Sequence, residues 1–205
     1  MAHGYTFIFI GNVGAGETTQ AEAMVEQFQL ERLSTGEVLR EEVRRQTPLG
    51  LLLKEDLAAG KFASDEVALE IVRNRMAASE CSSFVLDGVP RTLAQANRLA
   101  TMAADKQIPE LVAIHLDVPE AICRERLHLR WLHGTPRRSD DSPDVVEKRF
   151  VTYYELTEPI LSGFGSFVRR VASDQSQAAV THELSVLLQS YGLTPRVDGP
   201  AVAFG

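Results

Sequence analysis

Two cysteines in 205 residues, Cys81 and Cys123, form no Cys-x-x-Cys pair, so neither a zinc ribbon nor a disulfide framework is expected. Both read as buried thiols in a reducing compartment. No apolar run approaches the roughly 20 residues of a membrane span, and no charged segment precedes an apolar one at the N-terminus, so neither span nor secretory leader is expected. Positive charge is also scarce. With 21 Lys and Arg against 28 Asp and Glu, the formal net charge is −7, which speaks against a general nucleic-acid binder, because such proteins need a basic footprint. Internal repeats and low-complexity stretches are missing too. What remains is 44% hydrophobic and 24% charged, enough for one cytoplasmic, enzyme-like domain with a hydrophobic core.

Apolar runs of strand length alternate with helical patterns, the signature of a parallel sheet covered on both faces. Strands are expected near Tyr5–Ile10, Glu31–Leu33, Ser83–Leu86, Ala113–Leu116 and Phe167–Val171. Helices are expected near Thr18–Phe28, Gly36–Arg45, Gly50–Ala59, Ser64–Ala78, Thr92–Ala104, Pro119–Leu132, Pro143–Ser162 and Ala178–Ser190. Asp65 and Glu66 look like an acidic helix start, and Pro119 suits a first helical position. Two stretches break the alternation. Leu33–Ala78 holds more helix than one crossover needs and predicts a lobe outside the sheet, and the polar run 132–141 between two long helices predicts a short lid. Thr194–Gly205, with Pro195, Gly199 and Pro200, predicts a loosely held tail.

The stretch Tyr5-Thr6-Phe7-Ile8-Phe9-Ile10-Gly11-Asn12-Val13-Gly14-Ala15-Gly16-Glu17-Thr18-Thr19 reads as a buried strand entering a glycine-rich turn and then a helix. Gly11, Gly16 and Thr18 fall at the spacings of the phosphate-binding pattern G-x-x-x-x-G-K-[ST], while Glu17 stands at its lysine. Glycines let backbone N–H groups turn inward, and the helix start adds the positive end of its dipole, so a cradle for anions survives without a lysine. What the lysine adds is a mobile cation, and a carboxylate reverses its sign. At about 4 Å one unit of repulsion costs roughly 4 kcal/mol at an effective dielectric near 20, and the swing from attraction to repulsion doubles that. The expectation is a cradle with crippled chemistry.

Four further stretches carry a resemblance. They are Leu33-Ser34-Thr35-Gly36-Glu37-Val38-Leu39-Arg40; Ala59-Gly60-Lys61-Phe62-Ala63-Ser64-Asp65-Glu66; Leu86-Asp87-Gly88-Val89-Pro90-Arg91-Thr92-Leu93-Ala94-Gln95; and the arginine-rich set Arg126, Arg130, Arg137, Arg138 and Arg149. With the glycine loop, they make the chain resemble an adenylate kinase of the short-lid type, within the nucleoside monophosphate kinases, over roughly residues 5–190. Val89 stands where that family has phenylalanine. The resemblance implies an α/β fold of the P-loop NTPase type: a five-stranded parallel sheet between helical layers, with a helical AMP-binding lobe and a short lid. It divides residues 1–195 into a core (1–34, 80–131, 142–195), an AMP lobe (35–79) and a lid (132–141), followed by a tail (196–205).

The resemblance also assigns residues. ATP would lie on Gly11, Gly14, Ala15, Gly16, Glu17, Thr18 and Thr19, beside Arg126 and Arg130. AMP would meet Thr35, Gly36, Arg40, Lys61, Phe62, Ala63, Gly88, Val89, Pro90, Arg91 and Gln95, with Arg138 and Arg149. Arg40 and Arg91 would hold the acceptor's α-phosphate, and Arg126, Arg138 and Arg149 would surround the phosphoryl group in flight. Arginine suits that work, since phosphoryl transfer asks for alignment and a cage of positive charge rather than covalent help. Thr35 and Gln95 match the family's adenine contacts, which favours AMP over UMP or CMP.

Asp87 ends an apolar run at the carboxyl edge of a strand, where ligands sit in open α/β sheets. It could hold the water shell of a phosphate-bound Mg²⁺, with no direct protein ligand, or simply cap the next helix. Asp140 and Asp141 stand open between lid latch and helix start. His115 reads as a structural residue within a strand. The lid lacks four cysteines, so zinc is not expected; nor is a nucleic-acid or membrane partner, and a monomer acting on ATP, AMP and ADP is.

Three readings of Glu17 follow. The chain is a phosphotransferase, ATP + AMP ⇌ 2 ADP with Mg²⁺, impaired by Glu17; or it is a non-catalytic nucleotide-binding protein, natural or engineered; or Glu17 ligates Mg²⁺ directly. The third is disfavoured because Mg²⁺ keeps its waters.

Overall fold

The computed structural model describes residues 4–58, 63–133 and 143–196. Five strands form one parallel sheet: β1 (Tyr5–Gly11), β2 (Glu31–Ser34), β3 (Phe84–Asp87), β4 (Glu110–Asp117) and β5 (Val168–Ala172), in the order β2-β3-β1-β4-β5. Around it, among the described residues, run α1 (Glu17–Gln27), α2 (Thr35–Arg44), α3 (Pro48–Ala58), α4 (Asp65–Ala78), α5 (Leu93–Ala104), α6 (Glu120–His133), α7 (Pro143–Phe164) and α8 (Gln177–Ser190). The architecture is the three-layer α/β fold expected.

Alternation along β1 divides the core. Phe7 and Phe9 face one layer with Met24 of α1, Cys123 and Leu127 of α6, and Leu184 and Leu188 of α8. Ile8 and Ile10 face the other with Leu69, Val72 and Met76 of α4, Leu99 and Met102 of α5, and Phe164 of α7. A strand covered on both faces has little use for polar residues, which is why β1 is legible as a continuous apolar run.

Several helix starts are fixed by hydroxyl caps, which satisfy N–H groups that have no partner inside the helix. Ser34 accepts from the Glu37 N–H at 3.4 Å, Ser64 from Val67 at 3.4 Å, Thr92 from Gln95 at 3.0 Å and Ser176 from Ala179 at 3.3 Å. Thr92 is therefore the cap of α5, which corrects the reading of Asp87 as that cap.

Three expectations change in detail. β4 starts at Glu110, three residues before the predicted Ala113, because it pairs with β1 from Tyr5↔Glu110 to Gly11↔Leu116. Cys123 is buried, but Cys81 is only half-buried, lying in the turn before β3. Residues 194–196 are not loose: Phe28 bridges Pro195, and Arg196 donates its backbone N–H to the Gln27 carbonyl at 2.7 Å and its Nε to the Phe28 carbonyl at 3.1 Å.

Candidate active site

The carboxyl end of β1 and the start of α1 are joined by residues 12–16, and their conformation is set by two glycines. Gly16, with φ +101°, caps α1 in the left-handed region without a side-chain hydrogen bond. Gly14 has φ +91°, and a Cβ there would stand 2.9 Å from the Cys123 carbonyl oxygen. The loop is braced from outside. Asn12 accepts the Ala15 N–H on its carbonyl and the Val13 N–H on Oδ1, both at 2.8 Å. The Ala15 carbonyl accepts from Ser173 Oγ at 3.1 Å and from Arg126 Nη1 at 3.5 Å. Arg126 also donates Nη2 to the Ser173 carbonyl at 2.8 Å, tying the loop to the segment after β5.

These pieces enclose a cavity of about 420 Å³, lined by the loop, the first turn of α1 with Thr18 and Thr19, and the side chains of Arg126, Arg130 and Arg149. The N-terminus of α1, the loop backbone and three arginines are the elements from which an anion site can be built, with Glu17 and Glu22 lining the same cavity.

Glu17 curls back over the loop: its Oε1 lies 3.3 Å from where a Gly11 Cβ would stand, and the Gly11 N–H bonds to the carboxyl. Burial, then the charge of Asp87, pushes its pKa up to about 8, against Arg149, the Gly11 N–H and Arg91. At pH 7 the acid form therefore predominates over the carboxylate. The simple charge reversal expected from the sequence is corrected on this point: in the free protein near neutral pH, a neutral carboxylic acid occupies the lysine position. Below pH 8 the loss is of an attraction, without the added repulsion.

On the other side of β3, Arg40 and Arg91 approach each other. The Arg40 guanidinium lies over Gly36, its Nη1 3.1 Å from the position of a Cβ there. Arg91 donates Nε to the Gly88 carbonyl at 2.7 Å, and Gly88 faces both Thr35 Oγ1 and Arg91 Nη2. Burial and the Arg40 charge lower the Arg91 pKa, while Asp87 and Glu17 act the other way. Thr35 is buried at the start of α2, and Gln95 is buried on the first turn of α5. The Val89–Pro90 peptide is cis. The Val89 side chain joins the core around Leu86 and Ala96, so only its backbone is free to meet a ligand. Ala63 is half-buried just before the α4 cap, while Lys61, Phe62, Arg138, Asp140 and Asp141 lie outside the described residues.

Asp87 pairs with Arg32, a residue that sequence reasoning passed over. Arg32 Nη2 donates to Asp87 Oδ2, and Nη1 donates to Glu37 Oε1 at 3.1 Å. Burial opposes the Arg32 charge, but the Asp87 hydrogen bond and the Asp87, Glu37 and Glu22 charges outweigh it, and its pKa is raised. A basic residue inside the short β2 run was the available signal. His115, 6% exposed, lies between Tyr153 Oη and Arg170 Nη1, both at 3.3 Å, and is a core residue.

A family model for adenylate kinase matches residues 9–168, from the end of β1 to the start of β5. The chain belongs to the adenylate kinase family. It is 33% identical over 193 residues to the adenylate kinase of Nitrobacter winogradskyi, covering 91% of this chain and 94% of that one. It is 35% identical over 171 residues to that of a Cyanothece species, with 83% and 87% covered. The adenylate kinase of Bartonella henselae is 39% identical over 158 residues, covering 75% and 82%. At position 17 of this chain, an acid folds back over the loop that the general phosphate-binding pattern would furnish with a lysine.

Proposed function

We propose that this protein transfers the γ-phosphoryl group of ATP to AMP, giving two ADP, at a rate lowered by Glu17. One observation carries the reading: Arg40, Arg91 and Arg149 form a run of cations from the acceptor side to the phosphate loop, each within electrostatic reach of the next or of Glu17. A phosphoryl group passing between two nucleotides needs such a path.

In this reading the loop and Thr18 and Thr19 hold the ATP phosphates, and Arg130 lies beside the donor nucleotide. Arg40 and Arg91 hold the AMP phosphate, while Thr35 and Gln95 meet its base. An AMP phosphate oxygen bonds to the γ-phosphorus as its bond to the β-bridging oxygen breaks. Arg126, Arg149 and Arg138 stabilise the charge that spreads over the transferring oxygens.

Among the described residues no three acidic, histidine or cysteine side chains gather at a metal site. Mg²⁺ accompanying ATP would be held by the nucleotide phosphates and water and would supply neutralisation of the charge that develops in transfer. Asp87, one oxygen of which is engaged by Arg32, fits a hold on that water shell and not direct ligation. The protein then works as a cytoplasmic monomer on free nucleotides.

A second reading rests on the placement of the Glu17 carboxyl over Gly11: a protein that binds AMP but no longer turns over. A coupled ADP-formation assay beside Glu17→Lys separates the two. Turnover by the wild type, slower than by Glu17→Lys, supports the first reading. Activity confined to Glu17→Lys supports the second, and silence in both proteins overturns the assignment of the reaction.

A further inference from the structure

Gln95 is 3% exposed, and its side-chain bonds can be followed one at a time. Oε1 accepts the Arg91 backbone N–H at 2.6 Å. Nε2 donates to Asp65 Oδ1 at 2.8 Å. Asp65 Oδ2 in turn accepts the Thr92 hydroxyl at 3.0 Å, and Thr92 Oγ1 accepts the Gln95 backbone N–H, also at 3.0 Å. The first residue of α4 is thus bound to the cap and first turn of α5 by both of its carboxylate oxygens.

The circuit determines which way the Gln95 amide faces. A primary amide has two N–H donors and two acceptor lone pairs. Arg91 takes one lone pair and Asp65 takes one N–H, so one of each is left, and in the proposed pose these face the base from the shared O–N edge of the amide. An acceptor ring nitrogen beside an exocyclic amino group, as in adenine, matches that edge. A 6-oxopurine offers the reverse, a ring N–H beside a carbonyl, and would need the amide turned over. Reversal would set Oε1 against the Asp65 carboxylate, which only accepts, and Nε2 against the Arg91 N–H, which only donates. At so buried a position no water repairs either mismatch, and each unsatisfied group costs about 1–3 kcal/mol.

We propose that Asp65 is a positioning residue for base selection: by fixing the orientation of the Gln95 amide, it makes the acceptor site prefer a 6-aminopurine over a 6-oxopurine monophosphate. This deepens the proposed function, since it rests on Gln95 meeting the acceptor base. The sequence presents Asp65 as an acidic helix start at the end of a resemblance stretch, and nothing in its spacing points to position 95.

The test is calorimetric titration of AMP and of inosine monophosphate into the wild type, Asp65→Asn, Asp65→Ala and Gln95→Ala, without ATP, so that Glu17 and catalysis do not enter. The wild type is expected to prefer AMP. Asp65→Asn can donate to a reversed carbonyl, and its AMP-to-inosine-monophosphate ratio is expected to fall at least tenfold. Asp65→Ala removes the carboxylate mismatch and leaves only the Arg91 N–H opposing reversal, so its ratio is also expected to fall, and either folded variant suffices. A merely structural latch between α4 and α5 would weaken both ligands alike, and an unchanged ratio in the Asp65 variants overturns the proposal. If Gln95→Ala flattens the ratio while the Asp65 variants keep it, the positioning role alone falls. If Gln95→Ala leaves AMP affinity and the ratio untouched, the base contact at Gln95 falls, and the proposal with it.

Discussion

The phosphate loop and the acceptor side are built on neighbouring strands but organised by different forces. Around Gln95, Asp65, Thr92 and Arg91, neutral and charged hydrogen bonds of 2.6–3.0 Å fix orientation, and each of them joins a donor to an acceptor that could not exchange roles with it. At the loop, orientation is set by backbone conformation, while an acid that burial keeps protonated stands where the general phosphate-binding pattern has a lysine. A binding geometry can thus stay whole while the charge that drives chemistry is altered, and the two sides should respond independently.

The largest effect expected is on turnover. At neutral pH, Glu17→Lys exchanges a neutral acid for an ammonium near the donor phosphates, one unit of charge at about 4 Å. At an effective dielectric near 20 that amounts to about 4 kcal/mol, or roughly 10³ in rate. ADP formation at pH 7 should rise by that order, while AMP affinity by calorimetry stays within about twofold. The ratio between the two proteins should widen above pH 8, where Glu17 ionises and repels the donor. A matching jump in AMP affinity would break the independence of the two sides.

Stability gives the next largest effect and concerns the loop alone. The unfolded chain releases the Glu17 proton near 4.5, whereas the folded protein holds it to about 8, so folding takes up a proton between those values. Stability is intact below about pH 4.5, declines as pH rises, and levels off above about 8. Each pH unit in that window costs at most about 1.4 kcal/mol, and partial exposure of Glu17 brings the whole to about 3 kcal/mol. Glu17→Gln should therefore melt with the wild type at pH 4.5 and several degrees above it at pH 8.5. Parallel melting curves across that range would show that the carboxyl is better hydrated than its place over Gly11 implies.

How much of this was legible beforehand depended on whether a feature is local. The strands of a sheet covered on both faces are apolar runs, and hydroxyl caps at Ser64 and Thr92 sit where helical periodicity starts, so the elements could be placed within a few residues. The glycines of the loop were legible because a left-handed turn at Gly14 and Gly16 leaves few other choices. Partners distant in sequence were hidden. Arg32 meets Asp87 across 55 positions and Asp65 meets Gln95 across 30, and no periodicity links them. The protonation of Glu17 was hidden for the same reason, since the side chain's charge is written in the chain but its burial beside Asp87 is not.

The smallest effect expected comes from the ion pair between the two sides. Arg32 and Asp87 are 25% and 33% exposed at their side chains, so solvent screens the pair in part, and Arg32 Nε has no partner among the described residues. Arg32→Gln keeps a donor near Asp87 but removes the charge, and should cost about 1–2 kcal/mol, read as a modest fall in melting temperature at pH 7. It should also move the Glu17 titration. With its cation gone, Asp87 presses harder on the neighbouring carboxyl, so the loss of stability, which still begins near the unfolded value of 4.5, should level off at a higher pH than in the wild type. A midpoint that stays put would mean that Arg32 does not moderate the charge Asp87 exerts on the loop, and the acceptor-side strand would then have no electrostatic hold on the donor cradle.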